Sequence, residues 1–460
     1  MPRPHLRSLR RLLAPAALPL ALVFALFLAG CTTAPRPVSL DLPATDEGQP
    51  GVGPIRRQDW FQKLWHDRRT EFAAHAKEDR HALVFLGDSI TQGWGPRLAA
   101  AFPTLKVANR GISGDTTRGV LIRLQQDVLA LDPAGVVLLI GTNDLADKAT
   151  PEMIAGNITL LLDAMQRHNP SMPVILCEVF PSSPEKDRAP ADIKRINYLL
   201  RSVARGRPQV TYLDTWTLFA GPDGNAKPGE FPDLLHPNDA GYAKLAGALR
   251  PALATLNFLD REDDEFTIEN DFTPLFNGHN LDGWGYRPTP AGDMKYAQQM
   301  QRGSPANVEE FPIVTTPVNF DGRTATPDGR FVALHGRLVV TTPRGYRKIQ
   351  QLYTQREFPH DFVLKLEFRA TPNTDSGIYI RGPQLQCRDY LLAGPYKKLQ
   401  HYRPGEWNEI VVTVTGNVAH CTCNGEVLED ALKLPATGPI GLEGDRGQME
   451  YRRIRIQTRP

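Results

Sequence analysis

The first half of the chain alternates apolar runs of strand length with amphipathic stretches. The predicted strands are 82–86, 106–108, 135–140, 173–180 and 210–213. The predicted helices are 57–80, 89–102, 117–131, 193–204 and 239–256, with a further helix after Pro151. Strands that alternate with helices over about 200 residues predict a three-layer α/β sandwich around a parallel sheet.

The second half has a different pattern. Short runs of β-branched and aromatic residues are separated by Gly, Pro or Asn, and helical spacing disappears. The clearest of these runs are 331–334, 337–340, 362–368, 377–380 and 410–414. They predict an antiparallel, all-β sandwich. A stretch dense in Asp and Glu interrupts every apolar period between the halves, so we predict domains at 55–258 and 272–460 with a linker at 259–271.

The amino terminus has a pattern of its own. Arginines precede an apolar stretch over 12–28, which is typical of a secretory signal peptide over residues 1–31. The run Leu28-Ala29-Gly30-Cys31 resembles a bacterial lipobox, which implies that Cys31 is lipidated and holds an exported protein on the membrane. Thr32 in the next position implies the outer membrane. Residues 32–54, rich in Pro, Thr and Gly, predict a flexible tether. The alternative to a lipoprotein signal peptide is a plain amino-terminal anchor helix.

Composition narrows the class of protein. With 460 residues, 41% hydrophobic and 23% charged, the chain is long enough for two or three globular domains. Its 53 basic and 51 acidic residues give a net charge of +2, which lacks the basic field of a nucleic-acid-binding protein.

Four cysteines besides Cys31 are candidates for disulfide or metal chemistry. Cys177 lies in an apolar run and reads as a small buried hydrophobe. Cys421 and Cys423 share one face of a predicted strand, so either is a candidate to pair with Cys387. No cysteine spacing resembles a zinc site, and we expect neither a metal nor a cofactor.

Four polar loops follow predicted strands or precede the last helix of the first half. They are 87–89, 109–114, 141–144 and 233–238. Parallel sheets bind ligands at the carboxyl ends of their strands, so we expect these loops to meet. Ser89 is then the candidate nucleophile, His236 the base that takes its proton, and Asp233 the carboxylate that orients the imidazole. The Ser89 N–H, the Gly111 N–H and the Asn143 amide are the predicted oxyanion donors.

These blocks, Gly87-Asp88-Ser89, Gly111, Gly141-Thr142-Asn143-Asp144 and Asp233-Leu-Leu-His236, resemble in order the four blocks of the SGNH (GDSL) hydrolase superfamily. The resemblance covers about 83–256, and the run over 109–120 is similar to the branch of platelet-activating-factor acetylhydrolase catalytic subunits and related bacterial acyl-esterases. It implies the same three catalytic residues and the same three oxyanion donors. It does not define the substrate, because the superfamily spans lipid, carbohydrate and thioester acyl groups.

A second set of motifs lies in the β-rich half. Leu275-Phe-Asn-Gly, Leu281-Asp-Gly-Trp284, Ser376-Gly-Ile-Tyr379-Ile-Arg381 and Gly438-Pro-Ile-Gly resemble the 3-keto-disaccharide hydrolase family. That implies a concanavalin-like jelly-roll sandwich that acts on or binds sugars. The candidate sugar-binding residues are Trp284, Tyr286, Tyr379, Arg381, Gln386 and Asp389. The chain departs from the family pattern in two places, with Gln384 where a Glu is usual and Glu443 where a Gln is expected, so binding is favoured over hydrolysis. The alternative is a structural sandwich with Trp284 and Trp407 in its core.

Together these features predict an exported, lipid-anchored serine esterase that removes acetyl or other short acyl groups from carbohydrates recognised by its β-sandwich. A lipid esterase is one alternative, consistent with the acetylhydrolase-like run and with membrane tethering. A second is a bifunctional protein whose sandwich cleaves (3-keto-)disaccharides, and a third is an adhesin with an inactive hydrolase domain. The acyl group, the glycan and the oligomeric state are left open.

Overall fold

The structure, a computed structural model, describes residues 39–259, 266–305, 307–343, 347–391 and 396–459. The predicted signal peptide, Cys31 and the first part of the predicted tether lie outside these residues, as does 260–265 of the predicted linker. None of the helices within the described ranges combines the length and the apolar character needed to cross a bilayer.

A parallel sheet organises the first half. Its strands are β1 (Leu83–Gly87), β2 (Val107–Gly111), β3 (Gly135–Leu139), β4 (Val174–Cys177) and β5 (Val210–Leu213). They lie in the order β2-β1-β3-β4-β5. Gly87 pairs with Gly111 on one side and Leu139 on the other, so β1, β2 and β3 end at the same edge of the sheet. The order reverses at β1, and doubly wound sheets place their ligands beside such a reversal.

Helices cover both faces of this sheet. They are α1 (Asp59–His75), α2 (Ser89–Gln92), α3 (Arg97–Ala101), α4 (Thr117–Asp127), α5 (Thr142–Ala146), α6 (Pro151–His168), α7 (Pro190–Ala204), α8 (Thr215–Phe219) and α9 (Asp239–Thr255). Alternate side chains of each strand enter different cores: Val84 and Leu86 pack into one, and Leu83 and Phe85 into the other. The predicted three-layer α/β fold is confirmed.

Two antiparallel sheets form the second half. The strands are β6 (Thr273–Pro274), β7 (Trp284–Tyr286), β8 (Val318–Asn319), β9 (Phe331–Leu334), β10 (Arg337–Val340), β11 (Arg347–Thr354), β12 (Phe362–Ala370), β13 (Asp375–Ile380), β14 (Gln384–Arg388), β15 (Asn408–Thr415), β16 (Val418–Cys423), β17 (Glu426–Lys433), β18 (Ile440–Arg446) and β19 (Met449–Thr458). One sheet runs β17-β16-β15-β12-β19-β10-β9, with β6 paired to β19, and the other runs β14-β13-β18-β11-β7-β8. A single apolar core draws on both sheets, as the predicted jelly-roll sandwich requires.

Helices interrupt this all-β half, contrary to the prediction that helical patterns end there. They are α10 (Ala291–Gly303) and α11 (Asn307–Glu310). The sequence of α10, rich in Ala, Met and Gln, favours a helix by intrinsic propensity although only Ala297 is buried. Met294, Ala297 and Met300 recur at helical spacing on its less exposed side, a short pattern that the prediction did not use.

Residues 41–54 pack on the α/β half, although they were predicted to be a flexible tether. Leu42 is buried, Asp46 forms an ion pair with Arg118 at 2.6 Å, and the Asn157 amide donates to the Val52 carbonyl at 2.7 Å. The part of the predicted tether that the structure describes is thus an ordered arm. Its order follows from these polar contacts, which have no apolar period in the sequence.

The four cysteines that the structure describes are free thiols. Cys387, Cys421 and Cys423 are all buried in the sandwich core, and Cys177 is buried at the end of β4 in the parallel sheet. The predicted disulfide is therefore absent among them. Cys421 and Cys423 do share a face of β16, but that face packs as part of an apolar core, where a thiol behaves as a small hydrophobe.

Polar contacts join the two halves. The Gln448 amide donates to the Pro251 carbonyl at 3.0 Å and to the Thr255 hydroxyl at 2.7 Å. On the other side, the Asn373 amide donates to Asp214 at 2.9 Å. The described residues from 41 onward accordingly form one compact unit.

Candidate active site

Ser89 stands where β1 gives way to a helix. Gly87 ends the strand, and any Cβ there would lie 2.2 Å from the Leu139 carbonyl oxygen, so only glycine allows the neighbouring strand to approach. Asp88 caps α2 by accepting the Ile90 N–H at 2.9 Å. Ser89 is then the first helical residue, and its backbone N–H has no hydrogen-bond partner in the described parts of the chain.

A chain of two hydrogen bonds links Ser89 to a carboxylate. Ser89 Oγ lies 2.8 Å from His236 Nε2, and His236 Nδ1 lies 2.7 Å from Asp233 Oδ2. Asp233 Oδ1 accepts the His236 backbone N–H at 2.7 Å and the Leu235 N–H at 3.1 Å. The loop before α9 thus fixes the carboxylate against the imidazole, and the three predicted residues come together.

Hydrogen bonding keeps the Asp233 carboxylate ionised. Partial burial raises its pKa, but the His236 backbone N–H, the His236 ring and the Leu235 N–H outweigh burial and bring the pKa to about 2. The side chains of His236 and Asp233 are 41% and 46% exposed, so the pair lies at an open surface. A permanent negative charge beside Nδ1 stabilises an imidazolium when the ring takes a proton.

The structure does not support Gly111 as an oxyanion donor. Its N–H donates to Asn109 Oδ1 at 2.9 Å, and a Cβ on Gly111 would lie 2.2 Å from the Gln92 nitrogen. This glycine is needed for the close approach of β2 to α2. Gly114, in the same loop with φ +88°, has an N–H without a hydrogen-bond partner among the described residues.

Asn143 reaches the same loop from the end of β3. Its Nδ2 donates to the carbonyl of Asp115, next to Gly114, at 3.0 Å. Its Oδ1 accepts from Arg188 Nη2 at 3.0 Å, and the buried Arg188 also donates from Nε to the Thr142 carbonyl at 3.0 Å. Arg188 therefore fixes which end of the Asn143 amide faces the loop. Sequence reasoning missed Arg188, which lies in the loop after β4 outside every quoted motif.

Buried carboxyls lie beneath the site. Burial raises the pKa of Asp88 to about 7 and the pKa values of Asp115 and Asp144 to about 6. Asp115 pairs with the fully buried Arg123 at 2.8 Å, and Asp144 accepts the Thr117 N–H at 3.0 Å. The contact between Asp144 and Thr117 ties the loop after β3 to the start of α4, which follows the loop after β2.

Three of the predicted sugar-binding residues are structural. Trp284 is fully buried, and its Nε1 donates to the Leu275 carbonyl at 2.8 Å. Arg381 is buried, and it donates to the carbonyls of Phe358 at 2.6 Å and His360 at 2.7 Å. Asp389 is also buried and accepts the Asn373 N–H at 3.0 Å and the Tyr402 hydroxyl at 3.1 Å. None of the three presents a free face to a ligand.

The other predicted sugar-binding residues lie nearer the surface. Tyr286 is half-buried and lines a cleft with Tyr353 and Gln355. Gln386 is half-buried, its amide donates to Gln384 at 2.9 Å, and its own Oε1 has no partner in the structure as described. Tyr379, half-buried on the neighbouring strand, donates to Glu443 Oε1 at 3.1 Å.

Glu443 is the centre of a polar cluster on the side of the six-stranded sheet that faces away from the core. Tyr379, Gln351 and Gln384 all donate to its carboxyl group. Burial, reinforced by the charge of Asp445, raises the pKa of Glu443 to about 7. We call Tyr379, Gln351, Gln384, Gln386 and Glu443 the Glu443 cluster. Trp407, the other predicted core tryptophan, is half-buried and stacks against Arg369 and Arg452.

The described residues hold no group of three or more His, Cys, Asp or Glu side chains placed to bind a metal ion.

Comparison with known proteins divides the chain into two matched regions. Residues 85–244 match the sequence model of the family described as GDSL-like Lipase/Acylhydrolase, and residues 271–457 match that of the 3-keto-alpha-glucoside-1,2-lyase-like domain. The chain is 29% identical over 199 residues to platelet-activating factor acetylhydrolase IB subunit alpha1 of Pongo abelii, covering 42% of this chain and 84% of the relative.

Two further proteins are similar over a comparable share of the chain. The alpha2 subunit of Homo sapiens is 28% identical over 211 residues, covering 44% of this chain and 90% of the relative. A solved GDSL-like lipase from Bacteroides thetaiotaomicron superposes with a TM-score of 0.37 and 29% identity, covering 41% of this chain and 96% of that chain.

Proposed function

We propose that the chain is a serine esterase of acylated carbohydrates. The premise is that it belongs to the GDSL-like lipase/acylhydrolase family through residues 85–244 and carries a 3-keto-alpha-glucoside-1,2-lyase-like domain over 271–457, as its motifs predicted. The observation that carries this proposal is the hydrogen-bonded chain from Ser89 Oγ through His236 to Asp233, with distances of 2.8 and 2.7 Å. It stands at the carboxyl edge of a parallel sheet, and the backbone N–H groups of Ser89 and Gly114 have no hydrogen-bond partner among the described residues.

The proposed reaction proceeds through an acyl-enzyme. Ser89 Oγ attacks the ester carbonyl carbon while His236 Nε2 takes the hydroxyl proton, and ionised Asp233 stabilises the resulting imidazolium. The tetrahedral oxyanion accepts hydrogen bonds from the N–H groups of Ser89 and Gly114 and from the Asn143 amide. His236 then gives its proton to the departing alcohol, and water repeats the sequence on the acyl-serine to release the acid and restore Ser89.

Features of both halves of the chain support a carbohydrate as the alcohol component of the ester. The second half of the chain matches a domain whose name refers to a glucoside, and its sheet carries the Glu443 cluster of amide, phenol and carboxyl groups. The exposure of His236 and Asp233 also suits a bulky substrate, because the reacting groups do not lie at the bottom of a narrow channel.

Ser89→Ala tests the proposed nucleophile. We expect the purified variant to lose activity on acetylated xylo-oligosaccharides and on 4-nitrophenyl acetate while keeping its melting temperature. Ser202→Ala, which removes an exposed hydroxyl on α7, is the matched control and should retain wild-type rates. A Ser89→Ala protein that retains most of the rate, with contaminating esterases excluded, would refute the assignment.

Lipid ester hydrolysis is a second candidate. It is favoured by the similarity to the acetylhydrolase subunits, whose name refers to platelet-activating factor. A panel that sets acetylated oligosaccharides against a 2-acetyl phosphocholine lipid separates the two substrate classes by kcat/KM. A preference for the lipid of about tenfold or more would replace the carbohydrate proposal.

Export and lipid anchoring at Cys31 are part of the proposal. The lipobox-like sequence at 28–31 supports them. Two or more acyl chains bind a membrane stably, so the processed protein should partition into the membrane fraction, whereas Cys31→Ser should yield soluble or unprocessed protein. Unchanged mass and partitioning of the variant would remove this part of the proposal.

A bifunctional protein is favoured by one observation. Glu443 has a pKa of about 7, the range in which a carboxyl group serves as a general acid near neutral pH. Release of reducing sugar from a glucoside or 3-keto-glucoside by Ser89→Ala protein, and its loss in the additional variant Glu443→Gln, would establish a second activity.

A further inference from the structure

Trp60 is an exposed aromatic side chain beside the proposed oxyanion loop. Trp60 is 53% exposed, although the neighbouring Phe61 and Trp65 are buried. The Trp60 ring packs edge-on against Phe61 with the centroids 5.6 Å apart, so a buried aromatic residue anchors it. The exposed part is therefore a rigid apolar surface rather than a freely moving side chain.

The position of Trp60 follows from its contact with Gly114. A Cβ on Gly114 would lie 2.8 Å from Trp60 Cη2 and 3.0 Å from Arg56 Nη1. The loop that carries Gly114 is itself tied to the helix that starts at Ser89, because the Ser113 N–H donates to Gln92 Oε1 at 2.7 Å. Trp60 and Arg56 thus border the loop that carries Gly114, the proposed oxyanion donor.

Arg56 is held in one orientation with donors to spare. Its Nε and Nη2 donate to the two oxygens of Asp147 at 2.7 and 3.0 Å, and Asp147 directly follows α5, the helix of Asn143. Nη1 has no acceptor within hydrogen-bonding distance among the described residues. The bidentate pair fixes the guanidinium plane, so Nη1 offers two N–H groups beside the indole.

The chemistry of this pair fits a sugar ring. The apolar C–H face of a pyranose or furanose packs on an indole, and its hydroxyl groups accept from a planar donor. Arg56 forms an ion pair with Asp147, and this local compensation of its charge suits an uncharged ring better than a charged headgroup. We propose that Trp60 and Arg56 form the subsite that binds the sugar residue carrying the scissile ester.

This inference rests on the proposed function and gives it a specificity determinant. Full-length wild type, Trp60→Ala, Trp60→Phe and Arg56→Lys are compared on acetylated xylo-oligosaccharides and on 4-nitrophenyl acetate. The quantity measured is the ratio of the two kcat/KM values. Tyr198→Ala, which truncates another exposed aromatic side chain on α7, is the matched control, and its ratio should equal that of wild type.

We expect Trp60→Ala to lower the ratio about tenfold, mainly through KM for the sugar ester, because stacking is lost before the chemical step. Trp60→Phe should retain part of the ratio, and Arg56→Lys should lower it less than Trp60→Ala does. Melting temperatures check that each variant is folded.

Three results would overturn the subsite. They are a ratio within twofold of wild type for Trp60→Ala, an equal loss on both substrates, or a loss confined to a 2-acetyl phosphocholine lipid assayed in parallel. Wild type hydrolysing the sugar ester in a Ser89-dependent manner with an unchanged Trp60→Ala ratio refutes the subsite alone. Wild type inactive on every acetylated sugar refutes the proposed function and the subsite together.

Discussion

Two carboxyl groups, Asp233 in the α/β half and Glu443 in the sandwich, differ most in how far water reaches them. Both accept several hydrogen bonds, but Asp233 is nearly half exposed and Glu443 is buried. The pKa of Asp233 falls to about 2, whereas the pKa of Glu443 rises to about 7. Hydrogen bonds decide the charge where water also reaches the group, and desolvation decides it where water does not.

The difference assigns the two groups to different kinds of chemistry. Asp233 is an anion throughout the neutral range and is suited to orient and stabilise a protonated His236. Glu443 is partly protonated at neutral pH and is suited to donate a hydrogen bond or a proton.

Asp233→Asn should have the largest effect. An amide cannot stabilise the imidazolium, and it favours the wrong tautomer of His236, so we expect kcat on 4-nitrophenyl acetate to fall by about 10³- to 10⁴-fold. Asp239→Asn, an exposed carboxylate three residues beyond His236, is the control and should change kcat little. A loss of less than tenfold for Asp233→Asn would mean that the anionic charge is not used.

Gly114→Ala should have the next largest effect. The new methyl group would meet the Trp60 ring at 2.8 Å and Arg56 at 3.0 Å, at a φ of +88° that disfavours alanine. The displaced N–H should cost about 10²- to 10³-fold in kcat. Gly156→Ala on α6, where no atom lies within 4 Å of the added Cβ, is the matched control. A Gly114→Ala protein with near-wild-type kcat would remove Gly114 from the oxyanion donors.

Glu443→Gln tests the buried side of the comparison. The folded-state pKa of about 7 lies above the ordinary value of 4.5, so protonation favours the fold. This contribution is complete below pH 4.5 and is lost as the pH rises through 7. Between pH 5 and 8, wild type should therefore lose about 1 to 3 kcal/mol more unfolding free energy than Glu443→Gln. Denaturant titrations at both pH values measure it, with Glu185→Gln as an exposed control. Parallel pH profiles for wild type and Glu443→Gln would contradict a raised pKa.

Reductant should have the smallest effect. Because Cys177, Cys387, Cys421 and Cys423 are free thiols, dithiothreitol should leave the melting temperature unchanged. Thiol titration of the denatured, unreduced protein should count all four of these groups. A count lower by two would show that the predicted disulfide of Cys387 is present.

Sequence patterns located the residues of the α/β site because each lies beside a regular element. Ser89 is two residues past the apolar strand β1, and Asp233 and His236 share the loop before the helix α9. The sequence pattern does not show whether Gly111 or Gly114 supplies the oxyanion N–H. The answer depends on the Asn109 side chain, which accepts the Gly111 N–H.

Burial explains the other differences. Trp284 and Arg381 belong to recognisable motifs, yet they pack the core and tie loop carbonyls together. Trp60 is an aromatic residue of the predicted helix 57–80, but the buried apolar residues of α1 are Phe61, Trp65 and Phe72, and each residue of a helix turns about 100° from the last. One position therefore separates a core residue from an exposed one.

Covalent labelling with a fluorophosphonate tests the central claim most directly, because the reagent traps a serine activated by a neighbouring base. Peptide mass spectrometry of full-length protein should find one stoichiometric adduct, on Ser89, and His236→Ala should abolish it without lowering the melting temperature. An adduct on another serine, or undiminished labelling of Ser89 in His236→Ala, would contradict the proposed Ser89–His236–Asp233 chemistry.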